Sequence, residues 1–126
     1  MNAFMSPQAN YRQGQSPSRS LKSVEYDLLA SITQKLKQGL RDRDTNFVGL
    51  AQAIMENQQL WTAFALDVGT PGNALPPKLR AQIVYLCEFT ILHSSKVLAN
   101  QSSPEVLIDI NMAIMRGLRG VTGGEE

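Results

Sequence analysis

The fold is decided by residues 60–82, which read LWTAFALDVGTPGNALPPKLRAQ. This stretch carries the only tryptophan, Trp61, at the end of an apolar periodic segment, and the segment is then interrupted by Gly69–Gly72. Gly and Pro break helices, but Pro suits the first turn of a new helix because its missing N–H is not needed there. Asn73 and the pair Pro76-Pro77 therefore mark a new start, and the stretch predicts a helix–loop–helix junction.

Two helices are predicted on the N-terminal side of this junction. The first begins at Ser16-Pro17 or slightly later, with apolar residues three or four positions apart: Leu21, Val24, Leu28, Ile32, Leu36 and Leu40. The second covers residues 45–68, and Asp44 or Thr45 is suited to cap it. A polar interruption at residues 56–59 places Asn57 where an apolar residue is expected. This pattern fits two segments, 45–57 and 58–68, either continuous or bent.

Two further helices are predicted on the C-terminal side. The third runs from about Pro76 to Ala99, and eight of the ten residues from 83 to 92 are apolar. A helix that is apolar on more than one face is either central to a bundle or shares a face with a partner. The fourth helix begins with the pattern Ser102-x-x-Glu105, which is a capping box, and Gly117 and Gly120 indicate its end.

These segments predict an all-α fold, since alternation typical of strands is absent. The expected architecture is a small bundle of four to five helices with a flexible N-terminal arm. A chain of 126 residues fits one domain. We expect a flexible arm over residues 1–18, which lack large aliphatic side chains, a single helical domain over 19–120 and a disordered tail over 121–126.

The amino-acid composition indicates which class of partner and which cellular compartment to expect. Twelve basic and eleven acidic residues give a net charge of +1, which does not favour direct nucleic-acid binding driven by charge. The single cysteine, Cys87, allows no intramolecular disulfide and fits a reducing compartment. The first residues lack a secretory pattern, and the longest apolar run is too short to span a bilayer. We therefore expect a cytoplasmic protein without membrane contact.

The residue pattern does not predict catalysis, a metal or a cofactor. Cys87 and His93 are six positions apart, so they lie on different faces of one helix. Glu105 and Asp109 form a carboxylate pair at i, i+4, but acidic residues in opening turns stabilise the helix dipole. The glycines form neither a phosphate-binding loop nor a dinucleotide fingerprint. We predict a protein that is not an enzyme, with His93 either a partly buried helix-end residue or a binding residue.

Two further features of the sequence each allow two interpretations. Arg116 and Arg119 are either a solvated helix end or a small basic surface for an acidic partner segment. Trp61 is either a core residue or the anchor of an interface, since Trp is enriched at binding hot spots.

An ordered set of short motifs resembles the flagellar biosynthesis regulator FlaF family. The motifs lie at 60–62, 73–76, 79–82, 88–90, 93–98, 108–111 and 114–120, together with Tyr11 and Glu25-Tyr26. The resemblance covers roughly residues 10–120. The chain departs from the family pattern at residues 69–72, where a more acidic linker is expected, and in its tail after Gly120.

The resemblance implies a bacterial cytoplasmic protein needed for normal flagellin production and secretion. Family members act with flagellin and oppose FlbT, a regulator that restrains flagellin translation. No catalytic residues come with the resemblance. Two functions follow as expectations: a chaperone or adaptor that binds flagellin, or a post-transcriptional regulator acting on the flagellin mRNA or through FlbT. A homodimer through the surplus apolar face is a further expectation.

We predict the partner site beside the junction and along the third helix, because an amphipathic helix of flagellin would fit an apolar groove there. The predicted groove residues are Trp61, Phe64, Leu75, Leu79, Ile83 and Phe89, rimmed by Arg80, His93 and Arg116.

Overall fold

The computed structural model describes residues 17–123, with side chains described from residue 26 to residue 119. Within this part of the chain there are four helices and no strand: α1 (Pro17–Arg41), α2 (Phe47–Val68), α3 (Pro77–Leu98) and α4 (Glu105–Gly123). The all-α prediction is confirmed. Residues 1–16 of the predicted arm and residues 124–126 of the predicted tail lie outside the described range, so the proposed division into arm, domain and tail stays a prediction.

The four helices form a bundle in which each packs on two neighbours. α1 contacts α2 and α4, and α3 contacts α2 and α4, with the sparsest packing between α3 and α4. α1 and α2 approach very closely at Gly39, where a Cβ atom would lie 2.8 Å from Leu50 Cα. The exposed ion pair of Lys35 with Glu56, at 3.0 Å, also joins these two helices. α1 and α2 are thus the most intimately packed hairpin.

Trp61 and Phe64 lie at the centre of the core, with ring centroids 5.4 Å apart in an edge-on arrangement. The other buried apolar side chains come from all four helices and the α2–α3 junction: Leu29, Ile32, Leu36, Leu50, Ala53, Ile54, Leu60, Val68, Leu75, Ile83, Cys87, Val97, Leu107, Ile108, Ile114 and Leu118. On α1 the buried apolar residues are Leu29, Ile32 and Leu36, whereas Leu28 and Leu40 of the predicted stripe are half-buried. Of the two interpretations of Trp61, the structure supports the core residue.

The structure of α2 shows that the predicted N-cap was wrong and that the helix is continuous. Asn46, not Asp44 or Thr45, is the N-cap, because its Oδ1 accepts a hydrogen bond from the Gly49 N–H at 3.0 Å. α2 then continues without a break through the polar residues at 56–59. The reason is that Asn57 is buried and finds a partner inside the core, where its Oδ1 accepts from Asn111 Nδ2 at 2.8 Å.

Both ends of α4 differ from the prediction. The predicted capping box at Ser102 does not form; Ser103 Oγ instead accepts from the Glu105 N–H at 3.1 Å. At the other end, α4 continues through Gly117 and Gly120 to Gly123. A helix-interior glycine costs only about 1 kcal/mol, and the buried contacts of Ile114 and Leu118 offset that cost. α4 therefore includes residues 121–123.

Candidate functional site

The α2–α3 junction is held by the side chain of Asn73. Its Nδ2 donates to Asp67 Oδ2 at 3.1 Å, and its Oδ1 accepts from the Leu75 N–H at 3.0 Å. Arg80 closes the junction because its Nε donates to the Leu75 carbonyl at 3.0 Å. Gly72 adopts a φ of 88°, a left-handed conformation that favours glycine. The junction thus fixes where α3 starts and how its faces are directed.

Four residues of the predicted partner site lie inside the protein. Trp61, Phe64, Leu75 and Ile83 are buried core side chains. The indole of Trp61 is also engaged, since its Nε1 donates to Asn111 Oδ1 at 2.9 Å. All four side chains are at most 6% exposed in this structure. Their predicted role in partner binding is not tested by these contacts.

The remaining predicted site residues lie at or near the surface of α3 and α4. Phe89 is 37% exposed and its ring stacks on that of His93, with centroids 5.7 Å apart. His93 is half-buried, and its Nε2 lies 3.0 Å from the Ser103 carbonyl oxygen, to which it donates if it carries the proton. Leu79 and Arg80 are half-buried, whereas Arg116 is exposed. The structure thus divides the predicted set into a buried support and a partly exposed surface.

The two most exposed apolar residues of α3, Tyr85 and Leu92, were not among the predicted site residues. Half of the ten large apolar side chains exposed in the described residues belong to this helix: Val84, Tyr85, Phe89, Ile91 and Leu92. Tyr85, Phe89 and Leu92 follow one another at spacings of four and three, so they share one face, which we call the outer stripe. The apolar run at 83–92 indicated surplus apolar surface, but only the packing of α3 shows which residues point outward.

Cys87 of α3 is a buried free thiol. Burial raises the pKa of the Cys87 thiol above its usual value, and the neighbouring Glu88 carboxylate raises it further. A thiol shifted in this direction is a poorer nucleophile at neutral pH. In residues 17–123 no group of three or more His, Cys, Asp or Glu side chains is placed to hold a metal ion. None of the described helices combines the length and apolar character that crossing a membrane requires.

Exposed aromatic and aliphatic side chains on one helix face can bind a protein partner. Contiguous apolar surface of this kind marks interaction sites more often than chance exposure. The outer stripe is therefore the best candidate site in the described residues.

Comparison with known proteins agrees with the sequence motifs. The family model described as flagellar protein FlaF matches residues 7–118, which include the junction and the outer stripe. Neither the curated proteins nor the solved structures contain a match to the chain.

Proposed function

Because the chain belongs to the FlaF family of flagellar proteins, we propose that it promotes flagellin production and secretion by binding flagellin as a cytoplasmic chaperone or adaptor. Family membership carries the flagellar role. The choice of flagellin as the ligand and of direct binding as the mechanism is our proposal, supported by the surface of α3.

The observation that carries the proposal is the outer stripe. Tyr85 and Leu92 are 65% and 67% exposed, and Phe89 lies between them. Tyrosine and phenylalanine are enriched at protein interfaces, where large rings bury much area. Flagellin has amphipathic terminal helices that would associate with one another before export. A helix of this kind can cover its apolar face by docking along the outer stripe.

Behind the outer stripe, the opposite face of α3 packs against the core of the bundle. Ile83 and Cys87 lie on the inner face of α3, where they pack into the core that contains Trp61 and Phe64. Docking on the outer stripe thus requires no opening of the core. A surface that is already ordered before binding loses less conformational entropy when the partner arrives.

The test compares two exposed leucines on different helices. Leu92 of the outer stripe is 67% exposed, and Leu66 of α2 is 72% exposed, so Leu66→Lys is a matched control for Leu92→Lys. We expect Leu92→Lys to weaken calorimetrically measured binding of monomeric flagellin by about tenfold or more, equal to about 1.4 kcal/mol. We expect Leu66→Lys to bind like the wild type. Circular dichroism should show both variants folded.

Other results would point elsewhere. Equal losses in the two variants would contradict binding at the outer stripe. A change of sedimentation in Leu92→Lys alone would indicate that the stripe is a homodimer contact. A folded wild-type protein that does not bind flagellin would favour the regulator acting through FlbT or on the flagellin mRNA. Direct RNA binding would weaken steeply with salt, whereas apolar docking would not.

A further inference from the structure

The side chain of His93 is held at the turn between α3 and α4. It is half-buried, and its Nε2 lies 3.0 Å from the Ser103 carbonyl oxygen. A carbonyl oxygen can only accept a hydrogen bond, so at this distance Nε2 carries the proton and donates. The imidazole ring is therefore fixed by a bond to a different segment of the chain, in addition to its place on α3.

The turn that carries this acceptor is itself fixed by side chains. Ser103 Oγ accepts from the Glu105 N–H at 3.1 Å, which joins the turn to the start of α4. Asn100 adopts a φ of 61°, and its Oδ1 accepts from Arg43 Nη2 at 2.8 Å, which joins the turn to the one between α1 and α2. The Ser103 carbonyl is therefore an acceptor in a fixed position.

His93 in turn packs against the central residue of the outer stripe. The rings of Phe89 and His93 lie one helical turn apart, with centroids 5.7 Å apart and planes at 13° to each other. Phe89 is 37% exposed and lies between Tyr85 and Leu92, which are 65% and 67% exposed. A ring that is packed on a fixed neighbour has less rotamer freedom than a ring in water.

We propose that His93 is the positioning residue of the partner site, which holds the Phe89 ring in one orientation through the contacts from Ser103 to His93 and from His93 to Phe89. A partner that receives a ring already held in place loses less side-chain entropy on binding. His93 raises affinity through Phe89 and not by touching the partner. This inference rests on the proposed function, because it takes the outer stripe as the surface that binds flagellin.

The contacts of His93 favour this indirect role over direct contact with the partner. Its Nε2 is engaged by Ser103 and its ring is stacked on Phe89, whereas Tyr85 and Leu92 are more exposed to solvent. A partner that bound Nε2 would first have to break the hydrogen bond to Ser103. The two roles predict different results when the Phe89 ring is removed.

The first measurement needs no partner. The Phe89 side chain is labelled with carbon-13 in the full-length protein, and its order is measured by NMR relaxation. His93→Ala removes both the ring and the donor, and His93→Gln keeps a side-chain N–H donor but removes the ring. We expect the order parameter of the Phe89 side chain to fall in both variants towards that of a flexible side chain, because the ring contact is lost. Unchanged order in either variant would contradict the positioning role.

The second measurement is a double-mutant cycle for the binding of monomeric flagellin. We expect His93→Ala to weaken binding about fivefold in the wild-type protein but less than about twofold in a Phe89→Ala protein, because His93 then has no ring to hold. Direct contact between His93 and flagellin predicts the same loss in both backgrounds. The control is Met115→Ala, at a half-buried position of α4 outside the stripe, which should change affinity less than about twofold. Circular dichroism should show every variant folded.

The results separate this inference from the proposed function. Equal losses in the two backgrounds, with flagellin bound by the wild type, would overturn the positioning role alone. A loss in Met115→Ala equal to that in His93→Ala would overturn it as well, because reduced stability would then account for both. A folded wild-type protein that does not bind flagellin would overturn the proposed function, and the role of His93 in binding with it, whereas the NMR measurement would still decide whether His93 holds the ring.

Discussion

α1, α2 and α4 meet around a buried network of polar side chains, whereas the buried polar side chains of α3 have no hydrogen-bond partner in the part of the chain that the structure describes. Asn111 of α4 is at the centre of the network. Its Oδ1 accepts from Trp61 Nε1 at 2.9 Å, and its Nδ2 donates to Asn57 Oδ1 at 2.8 Å and to Thr33 Oγ1 at 3.1 Å. A network of this kind permits only one relative arrangement of the helices that carry it.

The packing of α3 differs from that of the other three helices in its buried polar groups. The hydroxyl oxygens of Thr90 and Ser94 are buried without a partner among the described residues, as is Asn57 Nδ2. α3 packs by apolar contacts on α2 and sparsely on α4, and it carries the exposed outer stripe. The difference separates α1, α2 and α4, which share the network, from α3, whose exposed apolar surface we propose as the partner site.

Removing the side chain of Asn111, the centre of the network, should cause the largest loss of stability among these predictions. Asn111→Ala leaves Trp61 Nε1 and Asn57 Oδ1 without their partner, and each unsatisfied group costs about 1–3 kcal/mol. The Thr33 hydroxyl loses the bond from Asn111 but still donates to the Leu29 carbonyl. We expect the free energy of unfolding in urea to fall by about 3–5 kcal/mol. The control is Met112→Ala at the neighbouring exposed position, with an expected loss of about 1 kcal/mol or less. Similar losses in the two variants would contradict the central role of the network.

Alanine substitutions at the two glycines in helix contacts, Gly39 and Gly117, should change the stability of the protein in opposite directions. Gly39→Ala places a Cβ atom 2.8 Å from the Leu50 backbone, so α1 and α2 must separate, and we expect a loss of about 1–3 kcal/mol. Gly117→Ala meets Leu79 at an ordinary 3.6 Å, and we expect a gain of about 0.5–1 kcal/mol from the higher helix propensity of alanine. Thermal unfolding followed by circular dichroism measures both. A destabilised Gly117→Ala protein would show that α3 and α4 pack as tightly as α1 and α2.

Replacing the two buried threonines, Thr33 and Thr90, by valine should give the smallest changes in the free energy of unfolding among these predictions. Thr33 donates to the Leu29 carbonyl at 2.6 Å and accepts from Asn111, so Thr33→Val should lose about 1–2 kcal/mol. The Thr90 hydroxyl has no hydrogen-bond partner within residues 17–123, so Thr90→Val should be neutral or gain up to about 1 kcal/mol, since an unsatisfied hydroxyl is removed. Urea unfolding of the two variants measures the contrast. A loss in Thr90→Val equal to that in Thr33→Val would mean that the hydroxyl of Thr90 is satisfied in solution.

Much of the fold could be predicted because helix periodicity and helix breakers are local. The junction at residues 69–76 ends α2 and starts α3 close to where Gly69–Gly72 and Pro76-Pro77 placed these boundaries. Capping was predicted less well, since neighbouring polar residues compete for the same N–H groups. Asn46 and Ser103 cap their helices, although Asp44, Thr45 and Ser102 have the same chemistry.

The sequence by itself determined the helical class, the junction and the family, because these depend on residue order and short spacings. The tertiary structure decided which side of each helix is inside. Asn57 and Asn111 are 54 positions apart, and no local pattern joins them. Trp61 became core and Tyr85 and Leu92 became surface for the same reason: burial depends on how distant helices pack, which spacing along one helix does not specify.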